Sequence, residues 1–67
     1  MLLIKKVLHD KNLKQVNLSE LTGINEATIS LLVNGRLRPY PVQAKKIALA
    51  LAYEGNAEEL FKEVFDA

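Results

Sequence analysis

Glu26, Ala27, Ser30, Leu31 and Asn34 recur at spacings of three and four, which puts them on one arc of a helix. Ile29 and Leu32 occupy the opposite arc, with Thr28 and Val33 at its edges, so that side is the one to bury. The free arc is short, and polar or small except at Leu31, so it can approach another surface closely. Its chemistry matches the edges of base pairs. A carboxylate such as Glu26 accepts a hydrogen bond from cytosine N4, a hydroxyl such as Ser30 bonds several base edges, and Ala27 and Leu31 suit a thymine methyl. The arc holds no Arg or Lys, so the common bidentate grip on guanine is missing from it.

Other chemistry finds little support. His9 stands alone, with no Cys, His or acid at ligand spacing, so no metal is expected. Ser19 and Ser30 have no base positioned by sequence, and no Gly-rich phosphate loop occurs. The reading is that this is not an enzyme, needs no cofactor and takes no small-molecule ligand.

The elements that must position the arc are short helices. Residues 15–34, QVNLSELTGINEATISLLVN, run as a helix, stop at Thr22-Gly23-Ile24 and begin again, with Asn25 placed to cap the second segment. Gly23 sits where the chain leaves the first helix with a positive φ. Two helices hinged this closely are a way of presenting the second to the major groove of DNA. On the first of them Val16, Leu18, Leu21 and Thr22 call for cover, while Asn17 and Glu20 can face water. Upstream, Leu3, Ile4, Val7 and Leu8 form a stripe ending near Lys11-Asn12, with Leu13 filling the gap that follows. Downstream, Asn34-Gly35 ends the third helix, residues 36–40 (RLRPY) make an extended basic loop, and Pro41 opens a fourth helix with Ala44, Ile47, Ala48 and Leu51 inward. After Glu54-Gly55-Asn56, a fifth helix is expected from Ala57, with Leu60, Phe61, Val64 and Phe65 on one face. The sum is an all-α fold, a compact five-helix bundle, with residues 1–67 as a single domain.

A chain of 67 residues buries only about 60% of its unfolded surface, and with no cysteine it has no disulfide to staple it. No apolar run approaches the roughly 20 residues needed to cross a bilayer, and Lys5-Lys6 interrupt the opening apolar residues before any signal-peptide pattern develops. A soluble cytoplasmic protein is expected, with no membrane partner. The net charge of +1 hides an asymmetry: residues 1–53 hold eight Lys or Arg against three acids, and residues 54–67 hold one Lys against five acids. One end suits phosphate and the other does not.

Taken together, LKQVNLSELTGINEATIS, NGRLRP, KKIALAL and AEELF, in that order and spacing, make the whole chain resemble the Cro/repressor-type helix-turn-helix family of phage and bacterial transcriptional regulators. The resemblance implies a repressor-type five-helix bundle that binds double-stranded operator DNA as a homodimer, on half-sites about 34 Å apart. Position by position, it implies that Glu26, Ala27, Ser30 and Leu31 face bases. It gives phosphate contacts to Gln15 at the start of the second helix and to Asn34, Arg36 and Arg38 after the third, with Lys14 added where many members carry a Ser or Thr cap. Ser19 replaces the usual alanine at the helix crossing. Leu8 and Val33 stand where many members pair an Arg with a Glu, and are expected to touch instead. Leu49, Tyr53, Phe61 and Phe65 exceed what a small core needs, which points to a two-fold interface built by the fourth and fifth helices. Plainer readings stand beside these: Glu26 also suits the positive end of its own helix, Leu31 suits a satellite of the core, Leu49 and one of the rings suit partial exposure, and the two arginines suit a solvated loop. In function, the alternatives to a regulator are a helical protein-interaction module and the antitoxin of a toxin–antitoxin pair.

Overall fold

The computed structural model describes residues 1–65. Its α-helices are α1 (Leu3–Asp10), α2 (Gln15–Thr22), α3 (Glu26–Val33) and α4 (Pro41–Ala50), followed by a 3₁₀ helix (Ala57–Phe61). Helices this short are not stable alone, so packing must hold them. Ile4, Leu8, Leu18, Ile29, Leu32, Val33, Ile47, Ala48, Leu51 and Leu60 supply it, one or more from every element, in one buried cluster. Leu8 and Val33, expected to touch, both lie in it.

Backbone chemistry sets the helix ends. α1, α3 and α4 close in the same way: an amide five residues on bonds back to the last turn (Leu13 to the Leu8 carbonyl, Arg36 to Leu31 and Tyr53 to Ala48, each at 2.9 Å). Each closure needs one residue in the left-handed region, and these are Asn12 (φ 56°), Gly35 (φ 74°) and Ala52 (φ 53°). Alanine tolerates that region poorly because its Cβ crowds the following carbonyl. Ala52→Gly is therefore expected to stabilise the fold by about 0.5–1 kcal/mol, raising Tm by about 4 °C in thermal unfolding.

The sequence expectation needs two corrections. The fifth helix is a single 3₁₀ segment, so the bundle has four α-helices. Asn56 opens this segment, with its Oδ1 accepting from the Glu58 amide at 3.2 Å and the Glu59 carboxylate accepting from the Asn56 amide at 3.1 Å. Beyond Phe61 the backbone turns extended, because its polar groups find partners at the other end of the chain: the Leu3 amide donates to the Lys62 carbonyl at 2.9 Å and the Val64 amide to the Met1 carbonyl at 2.8 Å. The Lys62 carbonyl thereby satisfies an amide that α1, lacking a side-chain cap, leaves free. The single apolar face expected of Leu60, Phe61, Val64 and Phe65 does not form. Leu60 is buried, Phe61 and Val64 are half-buried, and Phe65 is 99% exposed.

The second correction concerns α2. Val16 and Leu21 are exposed, at 40% and 59%, where cover was expected. α3 and α4 are the described elements that pack most against α2, where Leu18 is buried, and they leave Val16 and Leu21 partly uncovered.

Candidate nucleic-acid interface

α3 is held at both ends by its own sequence. The Asn25 side chain accepts from the Ala27 amide at 2.8 Å, fixing the first turn, and the Gly35 closure fixes the last. Between them, Ile29, Leu32 and Val33 are buried, while Glu26, Ala27 and Asn34 are exposed, Leu31 is 42% exposed and Ser30 is half-buried. The four residues expected to face bases thus lie on the free side of the helix. Leu31 packs into no satellite core.

The turn before α3 is tied by side chains of α2. Thr22 Oγ1 donates to the Leu18 carbonyl at 2.8 Å and accepts from the Ile24 amide at 3.2 Å, while Ser19 Oγ donates to the Ile24 carbonyl. Gly23, at φ 74°, donates its own amide to the Ser19 carbonyl at 2.8 Å. These hydroxyl roles escape sequence reading, in which Ser19 is merely a small residue at a crossing.

Around α3 the positive charge is free. Among the described residues the ion pairs within 4.0 Å are the Met1 amine with Glu63 and His9 with Asp10, so no carboxylate holds Lys14, Arg36 or Arg38. Both arginines are exposed and follow directly on the Gly35 turn. Lys14 precedes α2 with no side-chain cap; its amide donates to Asn17 Oδ1 at 2.9 Å, the reciprocal half of a capping box, in which the third helical residue satisfies the amide of the cap position. Gln15 is half-buried at the first turn of α2, and its side chain is hydrogen-bonded to no other described residue. Asn34 is more occupied than expected, its Nδ2 donating to the Ser30 carbonyl at 2.8 Å and, more weakly, to Ser30 Oγ at 3.5 Å.

The model of the Cro/C1-type helix-turn-helix DNA-binding domain matches residues 4–61. The chain belongs to that family. No curated protein matches it, and no solved structure does.

In a Cro/C1-type domain α2 and α3 are the helix-turn-helix pair, and the domain binds double-stranded DNA. Exposed apolar residues that helical periodicity does not single out follow α3 in the chain: Leu37 in the basic loop, Tyr40 ahead of α4 and Val42 in its first turn, at 44%, 73% and 64% exposed. The residues expected at a two-fold interface divide. Leu49 and Phe65 stand open, at 81% and 99%. Tyr53 and Phe61 lie partly against the domain's own core. The Tyr53 hydroxyl donates to Glu59 Oε1 at 2.9 Å, and that bond, with minor help from desolvation and the negative charge, raises the phenol above its ordinary pKa of 10.0. Among the described residues no group of three His, Cys, Asp or Glu gathers as a metal site would require, and no helix is long and apolar enough to cross a membrane.

Proposed function

We propose that this Cro/C1-type domain is a sequence-specific transcriptional regulator of the phage or bacterial repressor type, acting in the cytoplasm, with residues 1–67 working as one DNA-binding domain. α3 enters the major groove, where Glu26, Ala27, Ser30 and Leu31 read base edges. Lys14, Gln15, Asn34, Arg36 and Arg38 hold the flanking phosphates. The observation that carries this reading is an exposed arc of α3, capped at one end and followed at the other by two arginines that no described carboxylate neutralises. A helix whose reading arc has no cation of its own gains affinity from its flanks and uses the arc for discrimination.

Two such domains on a two-fold palindrome read twice the sequence, with half-sites about 34 Å apart. Leu49 and Phe65, the two open members of the proposed interface with Tyr53 and Phe61, supply its apolar contact. Sedimentation of the free and the DNA-bound protein tests this, and a monomer in both states at high concentration removes it.

Selection of bound duplexes from a random pool tests the whole reading. A palindromic motif is expected, with pyrimidine positions suited to an acceptor and to methyl contact. Glu26→Ala is expected to relax the preference at one base pair per half-site by about 1 kcal/mol, roughly fivefold, leaving the other positions unchanged. A pool that yields no motif overturns the reading, and an unshifted motif for the variant removes Glu26 from the readout.

A further inference from the structure

The angle at which α3 leaves α2 is determined by what happens at Ile24, the residue between Gly23 and the cap Asn25. Both backbone groups of Ile24 are taken by α2 side chains: Thr22 Oγ1 accepts from its amide, and its carbonyl accepts from Ser19 Oγ. Thr22 Oγ1 is itself tethered to the Leu18 carbonyl, one turn back in α2. The next hydrogen bond along the chain is the Asn25 cap on the Ala27 amide, which begins α3. Hydrogen bonds thus join Leu18, Thr22, Ile24 and Ser19 across the turn, and the Asn25 cap follows one residue later at the start of α3. Beside the hydroxyls, the turn is held by the Gly23 amide on the Ser19 carbonyl and by Ile24, which packs partly against the core; Gly23 itself stands in the left-handed region with open space around its Cβ position.

We infer that Ser19 and Thr22 are positioning residues for DNA reading, their hydroxyls clamping Ile24 so that α3 meets base edges at one fixed angle. The inference rests on α3 being the base-reading helix. It separates two quantities that ordinary destabilisation does not. Contacts to phosphate come from Lys14, Arg36 and Arg38, long side chains that absorb a small rotation of α3. Contacts to base edges come from Glu26, Ala27, Ser30 and Leu31, and Ala27, Ser30 and Leu31 are too short to follow such a rotation. Loosening the turn must therefore cost discrimination and spare non-specific affinity.

The experiment compares binding of the selected duplex and of a scrambled duplex, at several salt concentrations, for the wild type, Ser19→Ala, Thr22→Val, the double variant and the hydroxyl-retaining Thr22→Ser. All are assayed at a temperature where circular dichroism shows them folded. The double variant is expected to bind the selected duplex about tenfold or more weakly, while its binding to the scrambled duplex and its salt slope stay as in the wild type. Thr22→Ser is expected to discriminate as the wild type does. Should the double variant fail to fold, Ser19→Ala decides alone, since a small residue at that crossing keeps the packing and loses only the hydroxyl. Equal losses on both duplexes, or none on either, overturn the clamp while leaving α3 as the reader. A wild type that fails to distinguish the duplexes overturns the reading of α3 itself, and the clamp with it.

Discussion

Replacing Arg36 and Arg38 together by alanine is expected to weaken duplex binding about 30-fold at 0.15 M salt and to reduce the slope of log K against log salt by about 1.8. The magnitude follows from counterion release, in which each neutralised phosphate contributes a slope of about 0.9 on B-form DNA. Both guanidinium groups meet the requirement: they are exposed, sit in the loop leaving α3 and are engaged by no described carboxylate. Because phosphate contacts carry no sequence information, the loss must be equal on every duplex and the selected motif must not change. Replacing both with lysine keeps the charge and should keep the slope, while losing the bidentate geometry and part of the affinity. Titrations from 50 to 300 mM salt on a selected and a scrambled duplex read all of this. An unchanged slope in the alanine variant means that the loop is merely solvated and that the phosphate grip lies elsewhere.

What the sequence makes legible is what is decided locally. Gly23 and Asn25 mark the break between α2 and α3, Gly35 closes α3 and Pro41 starts α4, because each residue type solves a backbone problem within one turn of itself. The faces of α3 are equally legible, since Ile29 and Leu32 against Glu26, Ala27 and Leu31 is a pattern that only one rotation of the helix satisfies. The end of the chain is not legible in this way. The amphipathic pattern over Leu60, Phe61, Val64 and Phe65 is a good helix pattern, yet the backbone there pairs with Met1 to Leu3, a partner that no local window includes. α2 shows a related limit. Its apolar residues require cover by pattern alone, but only Leu18 is fully buried, and Val16 and Leu21 stay partly exposed. At the candidate site, residue types indicate which side chains can touch DNA. They do not indicate that Asn34 folds back onto Ser30, or that Ser19 and Thr22 grip Ile24, since those bonds depend on the packed angle of two helices.

That angle depends in turn on Ile29, and Ile29→Ala is expected to have the largest effect on the fold itself. Its side chain is 0% exposed, within the cluster that joins all the elements. Truncation removes about 2–5 kcal/mol in transfer and cavity terms. A domain of 67 residues has about 3–10 kcal/mol in total, so a large share of the molecules is expected to unfold at 37 °C. Leu31→Ala, two positions later on the same helix and 42% exposed, is expected to cost under about 1 kcal/mol. Urea and thermal unfolding followed by circular dichroism compare the two, and equal costs would mean that the faces of α3 are wrongly assigned. DNA sharpens the contrast. A duplex at 100 times its Kd adds about 2.7 kcal/mol to a folded state that binds it, so Ile29→Ala should refold on titration with the selected duplex. Leu31→Ala should behave in the opposite way, folded on its own but bound more weakly, because what it has lost is a contact with the bases and not with the core.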